Sequence, residues 1–262
     1  MAAVPTIEIG VPGNKLRVSR IGLGTMDMFP VYGETNDEEA INALNHTLNI
    51  GCTLWDTANV YGIGHNEQLL SRVPKERRDK FFICTKFGAI MPIEKTVAAM
   101  AEVVKEGKNA HHIAVVQTEY SAWSTHVETD GLLDACRELG ATIVVYLLSG
   151  RGFMAGQVCN VSNFPEGDWS RNSLRFKPER FENNHKLADA FAKMTKKHDS
   201  TPGELALAWL LAQYMSPIAI PNTKKTKCLD KNFAASQIST IDNELKELRQ
   251  LVDSANMQEA HY

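Results

Sequence analysis

Apolar and polar residues alternate along 6–19 and the alternation breaks at Pro12-Gly13-Asn14, where a fixed φ and a permissive glycine suit a tight turn. The pattern predicts an N-terminal β-hairpin. Beyond it, short apolar runs at 20–25, 52–57, 81–86, 113–118, 142–148 and 217–220 read as strands, and the amphipathic stretches between them as helices. Such alternation marks βα units around a parallel sheet. Helix ends are legible too. Asn36 caps a helix with Ile41, Leu44 and Leu48 on its buried face, Glu39 placed to reach back and Gly51 placed to stop it. Ile93, Val97, Met100 and Val104 make a second stripe before Gly107, and Leu187, Ala190, Phe191 and Met194 a third. Thr201-Pro202-Gly203-Glu204 combines a cap, a first-turn proline and a capping box. From 157 to 183 the period is lost among Asn, Ser, Pro, Arg and Trp, which predicts a long surface loop of the kind that covers a site. Neither a repeat nor a linker divides the chain, so 1–262 is read as one domain.

Charge and cysteine usage narrow the partners. A net charge of -3 provides no basic field to draw the chain onto nucleic acid or an anionic membrane. Cys52, Cys84, Cys136, Cys159 and Cys228 form no CxxC pair, and an odd number suits a reducing compartment better than a disulfide framework. The N-terminus has neither the basic start nor the apolar stretch of a signal peptide, no run of about 18 apolar residues occurs, and Glu-Ala-His-Tyr is no peroxisomal signal. The expectation is a cytoplasmic protein whose partners are small molecules or proteins.

Chemistry concentrates at two strand ends. Leu54-Trp55-Asp56 is an apolar strand closing in a carboxylate, with Tyr61 five residues on, and Phe81–Lys86 is an apolar strand closing in an ammonium. In a parallel barrel the strand C-termini form the catalytic face. A strand-end lysine is costly to bury unpaired, so an Asp56–Lys86 pair is the economical arrangement. Beside it, Tyr61 would be drawn toward its phenolate, a change from the usual pKa of about 10 that makes it a better general acid.

Five segments in order, Trp55-Asp56-Thr57-Ala58-Asn59-Val60-Tyr61-Gly62, Cys84-Thr85-Lys86-Phe87-Gly88, Gln117-Thr118-Glu119-Tyr120-Ser121, Gly150-Arg151-Gly152-Phe153 and Ile220-Pro221-Asn222-Thr223-Lys224-Lys225, resemble the aldo-keto reductases. The branch they are most similar to includes pyridoxal, aryl-alcohol and aflatoxin-aldehyde reductases and the potassium-channel β subunits. The resemblance implies an α/β fold, a TIM-type (β/α)8 barrel, and reduction of an aldehyde or ketone by NADPH. It implies that Asp56 holds Lys86, Lys86 tunes Tyr61 and Tyr61 donates the proton. Gln117 then corresponds to the residue that fixes the nicotinamide carboxamide and Tyr146 to the aromatic that stacks on the ring. The resemblance further places Gly24 and Thr25 beside the cofactor, Ser149, Gly150, Arg151 and Met154 along the pyrophosphate, and Pro221, Asn222, Thr223, Lys224, Lys225 and Asn232 at the adenosine 2'-phosphate, where lysines suit a dianion.

Departures from the family are equally specific. Gly88 leads almost directly to Met91-Pro92-Ile93-Glu94, without the strand that carries a catalytic histidine, and Asn109-Ala110-His111-His112 leads straight to Ile113, without the strand that ends in a Ser-Asn pair. About six barrel strands are therefore expected, a departure from eight-strand closure that leaves exposed edges for self-association. Leu147-Leu148-Ser149, Asn222, Cys228 and Lys231 also depart from the family's cofactor residues, which predicts weaker NADPH binding.

Blander readings accompany each feature. A strand-end Asp and Lys alone make a structural ion pair, Tyr146 alone a core aromatic, and Lys224, Lys225 and Lys227 a solvated patch. Gly22-x-Gly24 lacks the third glycine of a dinucleotide fingerprint. Adjacent His111 and His112 diverge and lack a third ligand at metal spacing, so no metal is expected. Two functions follow from the residues: an NADPH-dependent carbonyl reductase, or an impaired homologue that binds a nucleotide or a partner.

Overall fold

The computed structural model describes residues 4–11, 13–30, 35–73, 75–86, 113–147, 153, 162, 164, 166, 171, 176–196, 200–213, 215–238 and 242–254. The hairpin forms as expected: β1 (Thr6–Val11) pairs antiparallel with β2 (Asn14–Ser19). All six strand runs are strands, each shorter than its apolar run: β3 (Leu23–Gly24), β4 (Leu54–Asp56), β5 (Phe82–Cys84), β6 (Val115–Glu119), β7 (Thr142–Tyr146) and β8 (Ile218–Ala219). Between and after them lie α1 (Asp37–Asn49), α2 (His65–Ser71), α3 (Leu132–Leu139), α4 (Pro178–Thr195), α5 (Pro202–Leu211), α6 (Thr226–Ala234) and α7 (Asp242–Ser254).

The six strands run parallel in two ladders, β3-β4-β5 and β6-β7-β8. Bridges Ile21↔Ala219 and Gly24↔Asn222 join them, with the Gly22 amide donating to the Ala219 carbonyl at 2.8 Å and the Gly24 amide to the Pro221 carbonyl at 3.1 Å. The order around the arc is therefore β5-β4-β3-β8-β7-β6. No ladder joins β5 to β6 among the described residues, and the intervening 87–112, including the helix read from Ile93, Val97, Met100 and Val104, lie outside them.

Side chains sort by the two-residue period of the strands. Outward residues such as Leu23, Trp55, Ile143 and Val145 join the buried layer beneath the helices. Inward Leu54, Val144, Ile218 and Ile220 form a separate cluster, closed at the strands' N-terminal end by Ile9 and Val18 of the hairpin. Ser19 and Thr53 tie this floor together, each hydroxyl accepting the other residue's amide at 2.8 and 3.0 Å. With the bottom sealed by apolar side chains, polar inward groups remain at the opposite end.

The helices follow their caps. The Asn36 side chain accepts from the Glu38 and Glu39 amides, and Leu44 is buried while Ile41 and Leu48 are half-buried. Thr201 and Glu204 form the expected capping box. The loop read over 157–183 requires correction at its end, since α4 already begins at Pro178, with the proline in its first turn. Phe164 and Phe176, inside the same stretch, are buried in the core; Phe153 and Phe176 pack against Trp123, and Phe164 against Phe176. Phe164 and Phe176 are thus buried aromatics within a stretch whose polar composition reads as surface; 157–161 and most of 163–175 lie outside the described residues.

Candidate active site

The ladder register lines up Gly24, Asp56 and Cys84 at the C-terminal end of one arm, and Glu119 and Tyr146 at that of the other. Asp56 reaches the interior because Trp55, its neighbour, is drawn outward: its ring stacks on Phe81 and its indole N–H donates to Thr47 of α1 at 3.1 Å. The alternation then leaves Asp56 facing in, 4% exposed.

Lys86 lies two residues past β5, its carbonyl accepting the Asn59 amide at 3.1 Å. Its ammonium has three N–H donors, and three acceptors surround it: Asp56 Oδ2 in a short ion pair, the Thr57 carbonyl at 2.9 Å and the Tyr61 hydroxyl at 3.4 Å. The same nitrogen lies 5.1 Å from the Tyr61 ring centroid. Tyr61 itself sits on a turn closed by its amide to the Ala58 carbonyl, and its ring stacks on Phe29 with centroids 5.5 Å apart. Since the phenolic oxygen accepts from Lys86, its own proton is left to point toward another acceptor.

Electrostatics correct one expectation. Burial raises the Tyr61 phenol above its ordinary value; Lys86 opposes that rise, while Asp56 adds to it. The lysine therefore moderates an upward shift rather than producing a net downward one, and the phenol stays protonated throughout the neutral range. Asp56 is raised as well, by burial first, with the Lys86 charge and hydrogen bonds from Lys86 and Gln117 working against it. Cys84, beside Asp56 in the register, is pushed up by burial and by that carboxylate.

The residues read as cofactor contacts divide. Gln117 reaches the reactive cluster, its amide Nε2 donating to Asp56 Oδ1 at 2.7 Å. Tyr146 is half-buried at the end of β7. Gly24 leaves no room for a side chain, because a Cβ would lie 2.8 Å from the Ile220 carbonyl oxygen as well as 2.0 Å from the Asn222 side-chain oxygen. Thr25 is fully enclosed, its hydroxyl within hydrogen-bond distance of the Asp56 carbonyl at 2.8 Å and of Asn66 Oδ1 at 2.7 Å. Ser149, Gly150, Arg151 and Met154 lie outside the described residues. Pro221 is half-buried, Asn222 exposed and Thr223 buried, with its hydroxyl accepting the Lys225 amide at 3.1 Å.

Lys224 and Lys225, with Thr226 and Lys227, line a cavity of about 400 Å³ against the start of α1. Asn232, on the second turn of α6, is not among its lining residues. Ammonium groups converging on one cavity fit a phosphate. Glu38 and Glu39 line the same cavity, however, and Asp27 lies close enough to feel the Lys224 charge. Asp27 Oδ1 is buried without a hydrogen-bond partner among the described residues, and burial pushes its carboxyl up to about 6.

Sequence reasoning missed Asn66, which organises the corner. It is fully buried, accepts from the hydroxyls of Thr25 and Thr57, both at 2.7 Å, and donates to the Thr25 carbonyl at 2.8 Å. The available signal was its place on the apolar stripe of α2 with Leu69 and Leu70, three and four residues on. Phe29 and Asp27 were missed too, lying in a short turn with no readable period.

Comparison with known proteins places this geometry. A sequence profile described as "Aldo/keto reductase family" matches residues 20–101 and 92–253. The aldo-keto reductase yakc [NADP(+)] of Schizosaccharomyces pombe is 31% identical over 99% of this chain and 95% of its own, and the aldo-keto reductase str7 of Strobilurus tenacellus 32% identical over 97% and 94%. The yakc alignment spans 326 positions against 262 residues here, so at least 64 of its positions have no counterpart in this chain. A βα unit of a barrel takes about 31 residues, so the excess equals about two units. Among solved structures, the glycerol dehydrogenase AKR11B4 of Gluconobacter oxydans shares the fold with a TM-score of 0.78 at 20% identity, covering 97% of both chains. An aldo-keto reductase of Klebsiella pneumoniae, solved in complex with NADPH, superposes at 0.64 and 20% identity, over 90% of this chain and 92% of its own.

Proposed function

This chain belongs to the aldo/keto reductase family, and we propose from that premise that it reduces an aldehyde or ketone to the alcohol with NADPH, Tyr61 supplying the proton. The observation that carries the reading is the three-acceptor coordination of the Lys86 ammonium by Asp56, Thr57 and Tyr61.

NADPH, when bound, supplies the hydride. Residues of this chain do the rest. Lys86 donates to the Tyr61 oxygen and so orients the phenolic proton toward the mouth, where a carbonyl oxygen can accept it. As that proton leaves, negative charge develops on an oxygen already in contact with an ammonium, where it is stabilised without rearrangement. Asp56 keeps the ammonium in place, and the Phe29 ring limits the motion of the phenol. At the far end, Lys224, Lys225 and Lys227 would hold the 2'-phosphate.

One observation favours a second reading, a homologue that binds a nucleotide or a partner without turnover: Glu38, Glu39 and Asp27 crowd the lysines that a phosphate would need. Fluorescence titration with NADPH, followed by oxidation of the bound cofactor with a panel of aromatic and aliphatic aldehydes, separates the two. Turnover that disappears in Tyr61→Phe supports the reductase; binding without turnover supports the second reading; a folded protein that binds no NADPH sinks the reductase and leaves the second reading without its NADPH.

A further inference from the structure

Gln117 makes a contact across the interior of the arc. In a closed ring of eight strands with two more between β5 and β6, β4 and β6 would stand opposite one another across the full diameter. Among the described strands, β4 lies in one ladder and β6 in the other. The Gln117 amide, projecting inward from β6, then meets the Asp56 carboxylate from β4 at 2.7 Å.

We infer that Gln117 acts here as a positioning residue, clamping the free oxygen of Asp56, rather than as a ligand of the nicotinamide carboxamide. Asp56 has two oxygens inside a nearly closed site. Lys86 takes Oδ2 and Gln117 takes Oδ1, so each oxygen has a donor. Nε2 is the donor atom of the amide, since the ionised carboxylate only accepts. A second donor on Asp56 fixes the plane of the carboxylate, and through it the position of the ammonium that Tyr61 shares. Without Gln117, Asp56 Oδ1 would have no donor among the described residues, the costly condition for a buried anion.

The consequence for proton donation rests on the reductase reading, but the clamp itself does not, so the test is run on the cofactor-free full chain. The Asp56 carboxyl is followed by carbon NMR across a pH titration, its signal assigned by its absence in Asp56→Asn. Gln117→Met keeps the bulk and removes the donor; losing a hydrogen bond to an ionised group should raise the Asp56 pKa by about one unit or more. Gln117→Glu places a second carboxyl against the first and should raise one of the coupled values further. In parallel, NADPH affinity measured by fluorescence should be the same in Gln117→Met as in the parent. An Asp56 titration that Gln117→Met leaves unmoved overturns the clamp. A loss of about tenfold in NADPH affinity, equivalent to 1.4 kcal/mol, overturns it too, by returning Gln117 to the cofactor. If the titration moves but no aldehyde is ever reduced, the clamp stands and the reductase reading falls.

Discussion

The two ends of the site are built differently. Around Tyr61, each donor of Lys86 meets an acceptor, both oxygens of Asp56 are paired, and Asn66 ties Thr25 to Thr57 behind them. Around Lys224 and Lys225, carboxylates share the cavity with the lysines, and one oxygen of Asp27 is buried without a partner among the described residues. Satisfied polar networks hold one geometry, whereas mixed and partly unsatisfied ones cost stability. The difference teaches that the proton-donating corner is organised independently of the dinucleotide end, so each can be altered without the other.

The largest separable effect should come from Lys86→Met. Reduction should fall by about 10²-fold or more, as expected for the loss of a group that orients the phenol and stabilises the charge developing on it. Stability should fall as well at neutral pH, by on the order of 1–3 kcal/mol after allowing for the half-open position of Lys86, because Asp56 loses its counter-charge. The sign with pH is fixed by the raised Asp56 carboxyl: a raised folded pKa contributes stability that is complete below the unfolded value and lost as pH rises through the folded one. Unfolding curves of variant and parent should therefore converge toward pH 4 and diverge toward pH 7. Parallel curves would mean that Lys86 acts through packing alone.

Asp27→Asn probes the other end with a smaller effect. The carboxyl, raised to about 6, contributes its stability below about pH 4 and loses it between there and pH 6. Near neutrality the amide variant should therefore be the more stable by on the order of 1–2 kcal/mol, with the advantage gone near pH 4. An equal Tm at both pH values would count against a buried, destabilising charge. Smaller again, Glu38→Gln with Glu39→Gln should tighten NADPH binding by roughly tenfold or less at low ionic strength, an advantage that salt removes because both residues are exposed. Unchanged affinity at low salt would place the phosphate elsewhere.

What the sequence made legible follows the range of the interactions. The hairpin rests on a two-residue period and turn chemistry and the six strands on short apolar runs, all of them local signals, and all seven features form. The helices at Asn36 and Thr201 carry their own caps and begin as expected. The first residues of α4, from Pro178, are polar and aperiodic, so the helix they open was illegible until its stripe began at Leu187. The Asp56–Tyr61–Lys86 corner was legible because strand ends in a parallel sheet share one face. The net direction of the Tyr61 shift was not, since burial is a tertiary quantity that outweighs the neighbouring ammonium. Nor were Glu38 and Glu39 opposite the lysines, because that pairing exists only once α1 lies against α6, where His46 and Asp230 meet at 2.6 Å. The Gln117–Asp56 bond is of the same kind, joining side chains from two different ladders.

The central claim is that the phenolic proton of Tyr61 is the one delivered to the carbonyl oxygen. Its most direct test is a single-turnover experiment in which protein preloaded with NADPH is mixed with an aldehyde and the loss of cofactor absorbance is timed, for the parent chain and for Tyr61→Phe. The expected result is equal NADPH binding with a rate about 10²–10⁴-fold slower in the variant, the range for removal of a general acid. Equal rates in the two proteins would contradict the assignment.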